Sequence, residues 1–429
     1  MITGKKMTPV QKMRAIRQAL KMTQRDLAVA MNYGASTIDN YENGRKRVTK
    51  EVDKAFRKAT DTADVPFTDD EIADFKEKRL YGWNNTINFG IMKQAKELQD
   101  RLAYCVKWSF DEDLQILYDI FSINYYCATG KKEECNKILD NLKNRQQNFT
   151  DEYRYWYYRY LGTIEHWNWR YKAAAALYMK AEKIGNRLGL NDNALYYNIG
   201  NCLTHMGYPI LACDYLENAK TKAIDSFGVH YMFAIQKLLA VNYSKTGKVD
   251  RAIELLNKYI EYIQQEGKSD RLRLGRVHTT LGKVYQNAEN FEKALENFDI
   301  ASRHFDVESE LYLSYLCYRA LLLRAYNKND EAAKCLDKGF AMATTGTLWY
   351  ELLSAIRYSL TLDKKGSIES LEFTTIPKLN EYGVHETTMA CYEWISDYYK
   401  ENNMHKPADE YNKKAMKIYK QLIRGDLSL

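Results

Sequence analysis

Leu281, Gly282 and Tyr285, followed by Ala294, Phe298 and Ala301, set a spacing that recurs along the chain. Leu161, Gly162, Ala174, Tyr178 and Ala181 keep the same offsets, as do Ile199, Gly200, Leu203, Ala212, Leu216 and Ala219. Leu239, Ala240, Tyr243, Ala252, Leu256 and Tyr259 follow them, and Ile395, Tyr399, Ala408 and Ala415 return to them near the end. Small residues let two helices approach closely, and large ones fill the space between them. Turn stretches such as Thr246-Gly247-Lys248 and residues 287–290 separate the two helices of a unit. Each unit must bury its apolar faces against its neighbours, so the pattern describes a quasi-linear stack of helical pairs. Five prolines and 21 glycines in 429 residues leave few helix breakers. The expected fold class is all-α.

A chain of 429 residues is too long for one simple core, so two or more domains are expected. No apolar run approaches the ~20 residues of a membrane span, and Met1 to Lys6 are polar with no secretory core behind them. The eight cysteines are scattered without a CxxC pair, which leaves a zinc cage or a thioredoxin-type site unsupported. They read as buried thiols in a reducing cytoplasm. No nucleophile elbow, Walker loop, HExxH or dinucleotide fingerprint occurs, and the seven histidines, among them His166, His205, His230, His278 and His304, are isolated. Neither catalysis, a cofactor nor a metal is expected.

The first sixty residues read differently. Val10, Met13, Ile16 and Leu20 make one apolar face of a helix, with Lys12, Arg14 and Arg17 between them. Thr23 is placed to cap a second helix, Thr23-Gln24-Arg25-Asp26-Leu27-Ala28, with Asp26 at its positive end. Asn32-Tyr33-Gly34 breaks that helix, with Gly34 read as the residue that takes the turn. Ser36 is read as the cap of a third helix, which buries Ile38 and Tyr41 and stops at Glu42-Asn43-Gly44. Val52, Ala55 and Phe56 belong to a fourth. Two short helices joined by a tight turn place the second in the DNA major groove. Residues 1–60 hold fourteen Lys/Arg against five Asp/Glu, a net of +9; with +7 overall, the remainder carries −2. Phosphate contact is therefore expected of the head alone. Residues 61–67 read as a linker, and Thr68-Asp69-Asp70-Glu71 opens a new helix with a capping box. The expected division is a DNA-binding domain over 1–60, a linker over 61–67 and a repeat domain over 68–429.

Over residues 9–57 the pattern T-Q-x-x-L-A, then S-T-I-x-x-Y-E-N-G, resembles the Cro/C1-type helix-turn-helix family of phage-repressor-like transcription factors. That resemblance implies that Gln24 holds a phosphate and that Ala35, Ser36 and Asn40 lie at base edges. Thr37 counts with them from the helix surface, and Arg45, Lys46 and Arg47 lie on the backbone. Asn40 suits bidentate reading of adenine, whereas Ala35 can meet only a thymine methyl.

The body resembles tetratricopeptide repeats, most cleanly at residues 281–301, with units of about 40 residues against the family's ~34. Residues 81–142 and 349–379 lack the signature. The resemblance implies eight or nine helix pairs in a right-handed superhelix whose inner wall is lined by the first helix of each pair. Arg159, Asn198, Asn201, Lys237, Thr279 and Lys283 then point inward as peptide-binding residues. Asn amides suit an extended backbone, Lys237, Lys283 and Arg159 suit a carboxylate, and Tyr197 and Trp156 suit apolar side pockets. The combination resembles the peptide-responsive transcription regulators of Gram-positive bacteria. It implies a cytoplasmic, quorum-sensing-type regulator that binds double-stranded DNA at a two-fold operator, binds a short signalling peptide, and associates with itself as a dimer or tetramer. Two other readings stay open. One is a repeat-domain partner of a response regulator or phosphorelay protein; the other is a scaffold without a peptide ligand.

Overall fold

A computed structural model describes residues 7–88, 90–223, 229–265, 270–364 and 366–427. Met1 to Lys6 and the side chain of His230 lie outside the described residues. All regular elements among the described residues are helical. They cluster into two compact units, residues 1–160 and 161–429.

The first unit opens with α1 (Pro9–Ala19), α2 (Gln24–Met31), α3 (Ala35–Glu42) and α4 (Lys50–Ala59). Thr8 forms a capping box with Gln11, and Pro9 takes the first turn, where its missing N–H costs nothing. Thr23 forms a second capping box with Asp26. Two details of the turn differ from the sequence reading. The left-handed residue is Asn32, at φ 60, whose short polar side chain tolerates that region; Gly34 is extended at φ −79. The third helix also starts two residues earlier than read. Gly34 is its cap, no side chain takes that role, and Ser36 sits inside the first turn, exposed.

Leu27, Ala28, Met31, Ile38 and Tyr41 are buried against Met13, Ile16, Val52 and Phe56. Residues 60–67 carry no hydrophobic period, yet Val65 and Phe67 are fully packed. Lys12 Nζ donates to the Phe67 carbonyl at 3.1 Å, and Arg57 donates to the Val65 carbonyl and to Glu71. The unit continues through α5 (Asp69–Phe75), a π turn (Lys76–Leu80), α6 (Tyr81–Asn88), α7 (Met92–Ser109), α8 (Glu112–Ala128), α9 (Lys132–Lys143) and most of α10 (Asp151–Trp167). Residues 81–142, without the repeat signature, still make hairpins, held by aromatic packing such as Trp83 stacked on Tyr118 at 5.5 Å.

The second unit holds α11 (Tyr171–Arg187), α12 (Asn193–Met206), α13 (Pro209–Ala223), α14 (Val229–Lys245), α15 (Val249–Gln265), α16 (Arg271–Asn287), α17 (Phe291–Ser302), α18 (Glu310–Ala325) and α19 (Asn329–Met342). It ends with α20 (Leu348–Ser359), α21 (Ser367–Ser370), a π turn (Leu371–Thr375), α22 (Ile376–Tyr382), α23 (His385–Glu401) and α24 (His405–Arg424). Within a hairpin the two helices pack on each other, and α12, α14, α16 and α18 pack successively as one layer. The repeated spacing has a steric cause. A methyl group on Gly162 would lie 2.7 Å from the Tyr178 ring, on Gly200 2.7 Å from Leu216, and on Gly282 2.5 Å from the Phe298 ring. In each case a large side chain sixteen positions on occupies the space a Cβ would need, so glycine fixes how closely the pair approaches.

Candidate functional site

One ionic clamp ties the helices of the head together. Arg17 reaches from α1 to Glu42 at the end of α3, with Nε at 2.6 Å and Nη2 at 2.9 Å, and its Nη1 donates to the Met22 carbonyl. Both side chains are about nine-tenths buried, at 10% and 6% exposure. Burial pushes the Glu42 carboxyl up, but hydrogen bonds from Arg17 and Gln24 outweigh it and hold the group below its ordinary value. Gln24 Nε2 donates to Glu42 at 3.0 Å and to Asp39 at 3.3 Å. The side chain expected on a phosphate is thus engaged inside the motif. Its backbone N–H, in the first turn of α2, has no carbonyl four residues back within the helix and points out from the helix end. Ala35 and Thr37 are half-buried, Ser36 is exposed, and the Asn40 amide makes no side-chain hydrogen bond among the described residues. Arg45, Lys46 and Arg47 are all exposed just beyond α3. Arg45 lies 3.4 Å from Asp39 and Lys46 over the Tyr41 ring.

The second unit gathers five of the six expected peptide-binding residues on the successive helices α12, α14 and α16. Tyr197, Asn198, Asn201 and His205 form one stripe of α12; Arg276, Thr279 and Lys283 form one of α16. Asn201 Nδ2 lies 3.0 Å from His166 Nε2. Thr279 is buried and donates to its own helix at Gly275, whereas Asn198, Lys237 and Lys283 are half-buried. Lys283 Nζ sits 3.4 Å from the centroid of Tyr318 on α18. His205 is stacked on Tyr171 at 4.3 Å; burial, then the nearby lysines, hold it well below its ordinary value and so neutral. Burial pushes His166 down to about 4. Arg159 and Trp156 lie in the first unit, where the buried Arg159 guanidinium packs over the Trp156 and Tyr160 rings.

Residues 13–58 match the helix-turn-helix family. Over 372 residues the chain is 22% identical to the transcriptional activator NprA of Geobacillus stearothermophilus, spanning 80% of this chain and 88% of NprA. The structure of NprR in complex with its cognate peptide NprX superposes with a TM-score of 0.71 at 19% identity, over 81% of this chain and 99% of NprR. A Rap protein complexed with competence and sporulation factor superposes with a TM-score of 0.68 at 15% identity, over 80% of this chain and 98% of the Rap protein. The chain carries a helix-turn-helix domain over residues 13–58 and has the fold of NprR and the Rap protein.

In this helix-turn-helix protein the sequence reading missed three kinds of residue. Arg17 reads as polar surface and Glu42 as part of a helix stop; nothing local announces that they pair across 25 positions. Asp39 is a hub that accepts from Gln24, Asn43 and Arg45, and so places an anion midway along α3. Arg276 and Tyr318 join this layer only because α14, α16 and α18 are packed side by side. No helix among the described residues is long and apolar enough to cross a membrane.

Proposed function

We propose that the chain is a cytoplasmic transcription regulator. Its third helix reads operator DNA, and a short signalling peptide on the α12–α14–α16 layer controls it. The observation that carries the DNA half is the surface of α3. An Asn40 amide without a side-chain partner among the described residues stands beside three exposed cations, Arg45, Lys46 and Arg47, on a motif tied by the Arg17–Glu42 clamp. The peptide half draws on NprR, whose structure holds its cognate peptide, and on half-buried Asn198, Lys237 and Lys283 on this layer. Two heads on a two-fold axis gain affinity by effective concentration, and their separation must match whole turns of ~34–36 Å. A peptide that binds two protomer arrangements unequally then shifts operator occupancy. In this proposal the protein acts as a homodimer and carries out no reaction.

Selection of promoter fragments by the purified full chain, with and without pooled synthetic heptapeptides, tests the reading. Retention of no fragment under either condition overturns it. Asn40→Ala is expected to lower discrimination between selected and scrambled DNA by about 1–3 kcal/mol while nonspecific binding persists. Competition titrations with the two duplexes measure this, and an unchanged ratio removes Asn40 from the base-reading set. Arg45→Ala is expected to weaken binding to every sequence and to reduce the slope of log K against log salt by about one. A slope equal to the parent's assigns Arg45 to Asp39 alone.

A further inference from the structure

Charge is segregated between the two helices of three successive hairpins, α12–α13, α14–α15 and α16–α17. The helices α12, α14 and α16 contain no Asp or Glu at all. Their hairpin partners do: Asp214 and Glu217 on α13, Asp250, Glu254 and Glu261 on α15, Glu292, Glu296 and Asp299 on α17. These three helices nevertheless carry six Lys or Arg residues, and three of them are accounted for. Lys245 Nζ lies 2.6 Å from Glu386 of α23, Arg273 lies 2.7 Å from Asp270, and Arg271 donates to the Arg303 carbonyl at 2.9 Å. Lys237, Arg276 and Lys283 have no carboxylate partner among the described residues.

Unpaired lysines in a half-buried layer are costly, and aliphatic residues would pack there without that cost. Lys283 is further held against the face of Tyr318, which fixes its ammonium in place. We infer that the peptide ligand is anionic, and that one of its carboxylates seats between Lys237 of α14 and Lys283 of α16, with Arg276 at the outer rim. This rests on the peptide-binding reading above and adds the ligand's chemistry to it.

The titration of the two lysines agrees. Burial, then repulsion from Lys245 and Lys237 and an opposing pull from Glu386, pushes Lys283 down to about 7. Burial and Arg276 push Lys237 down to about 8. Around them the other groups are Tyr318 on α18, neutral His205 on α12, and the Lys245–Glu386 pair. In the unliganded chain both lysines lose protons as pH rises through that range. A seated carboxylate favours the protonated forms, so binding takes up protons. Affinity is highest at the acid end of that range and falls as pH rises through it.

The test uses the full chain and a pool of synthetic random heptapeptides with free termini, selected by affinity and sequenced. Each selected peptide is then remade with an amidated C-terminus and, separately, with Asp and Glu replaced by Asn and Gln. The carboxylate is expected to be required. Sensitivity to amidation assigns it to the terminus, and sensitivity to the amide side chains assigns it to an acidic residue. Lys283→Met and Lys237→Met are each expected to weaken binding by about 30-fold or more, with melting temperatures unchanged or raised; Lys283→Arg is expected to stay within about tenfold of the parent. Binders that tolerate both neutralisations, or that bind the double Met variant as tightly as the parent, overturn the anionic site and leave the peptide reading standing. A pool from which nothing is retained overturns both.

Discussion

Replacing Glu42 with alanine is expected to unfold the head and abolish DNA binding while the second unit stays folded. The substitution leaves the Arg17 guanidinium nine-tenths buried with only the Met22 carbonyl for a partner, and it releases the Gln24 amide as well. Removing one member of a buried pair costs about 3–5 kcal/mol, because the charge left behind stays out of water. A core of α1 to α4 built on Met13, Ile16, Leu27, Ile38 and Phe56 has a margin of the same order. Glu42→Gln keeps a hydrogen-bond acceptor facing Arg17 and is expected to lose less. Hydrogen exchange read by mass spectrometry separates the regions. The amides of α1–α3 should lose protection while those of α12–α17 keep theirs, and undiminished protection in α3 would show that the clamp is dispensable. Acid acts in the same direction. The Glu42 carboxyl is held below its ordinary value in the folded head, so its contribution is complete above that ordinary value and disappears as pH falls through the depressed one.

What could be read from residues alone was what repeats or lies close in sequence. Thr23 and Asp26 are three positions apart and cap α2 as their spacing demands. The glycine and its large partner sixteen positions on are visible because the same offset returns at Gly162, Gly200 and Gly282. The head's two errors were two-residue shifts: the cap lies at Gly34 rather than Ser36 and the left-handed turn residue at Asn32 rather than Gly34, since only the backbone decides where α3 starts. Contacts across long separations left no trace. Arg17–Glu42 and Lys245–Glu386 each join residues whose neighbours give no cue to the partner. Residues 60–67 looked like a tether because they lack a period, yet two side chains suffice to anchor them. One signal was present and went unread: three successive first helices without a single carboxylate, beside second helices that carry several.

The repeat geometry makes its own strong demand at Gly282 and Phe298. Phe298→Ala is expected to cost about 3–5 kcal/mol, because a fully buried ring leaves a cavity over the glycine that the helices cannot close without moving. Gly282→Ala introduces the opposite fault, since its methyl group meets ring carbons at 2.5 Å. Overpacking of that kind costs about 1–3 kcal/mol, of which the better helix propensity of alanine recovers about 1. Phe298→Leu alone leaves space and is expected to cost about 1–2 kcal/mol. Together, Gly282→Ala and Phe298→Leu recreate a pair that the chain already uses one hairpin earlier, where Ala240 and Leu256 are both buried. The double variant should therefore melt close to the parent, with a coupling of about 1–3 kcal/mol between the two sites. Urea unfolding of the four proteins closes the cycle. Simple addition of the two single losses would mean that the small residue does not set the approach of the helices. Because each hairpin leans mainly on its neighbours, the single losses should also loosen α14–α15 and α18–α19 before more distant hairpins.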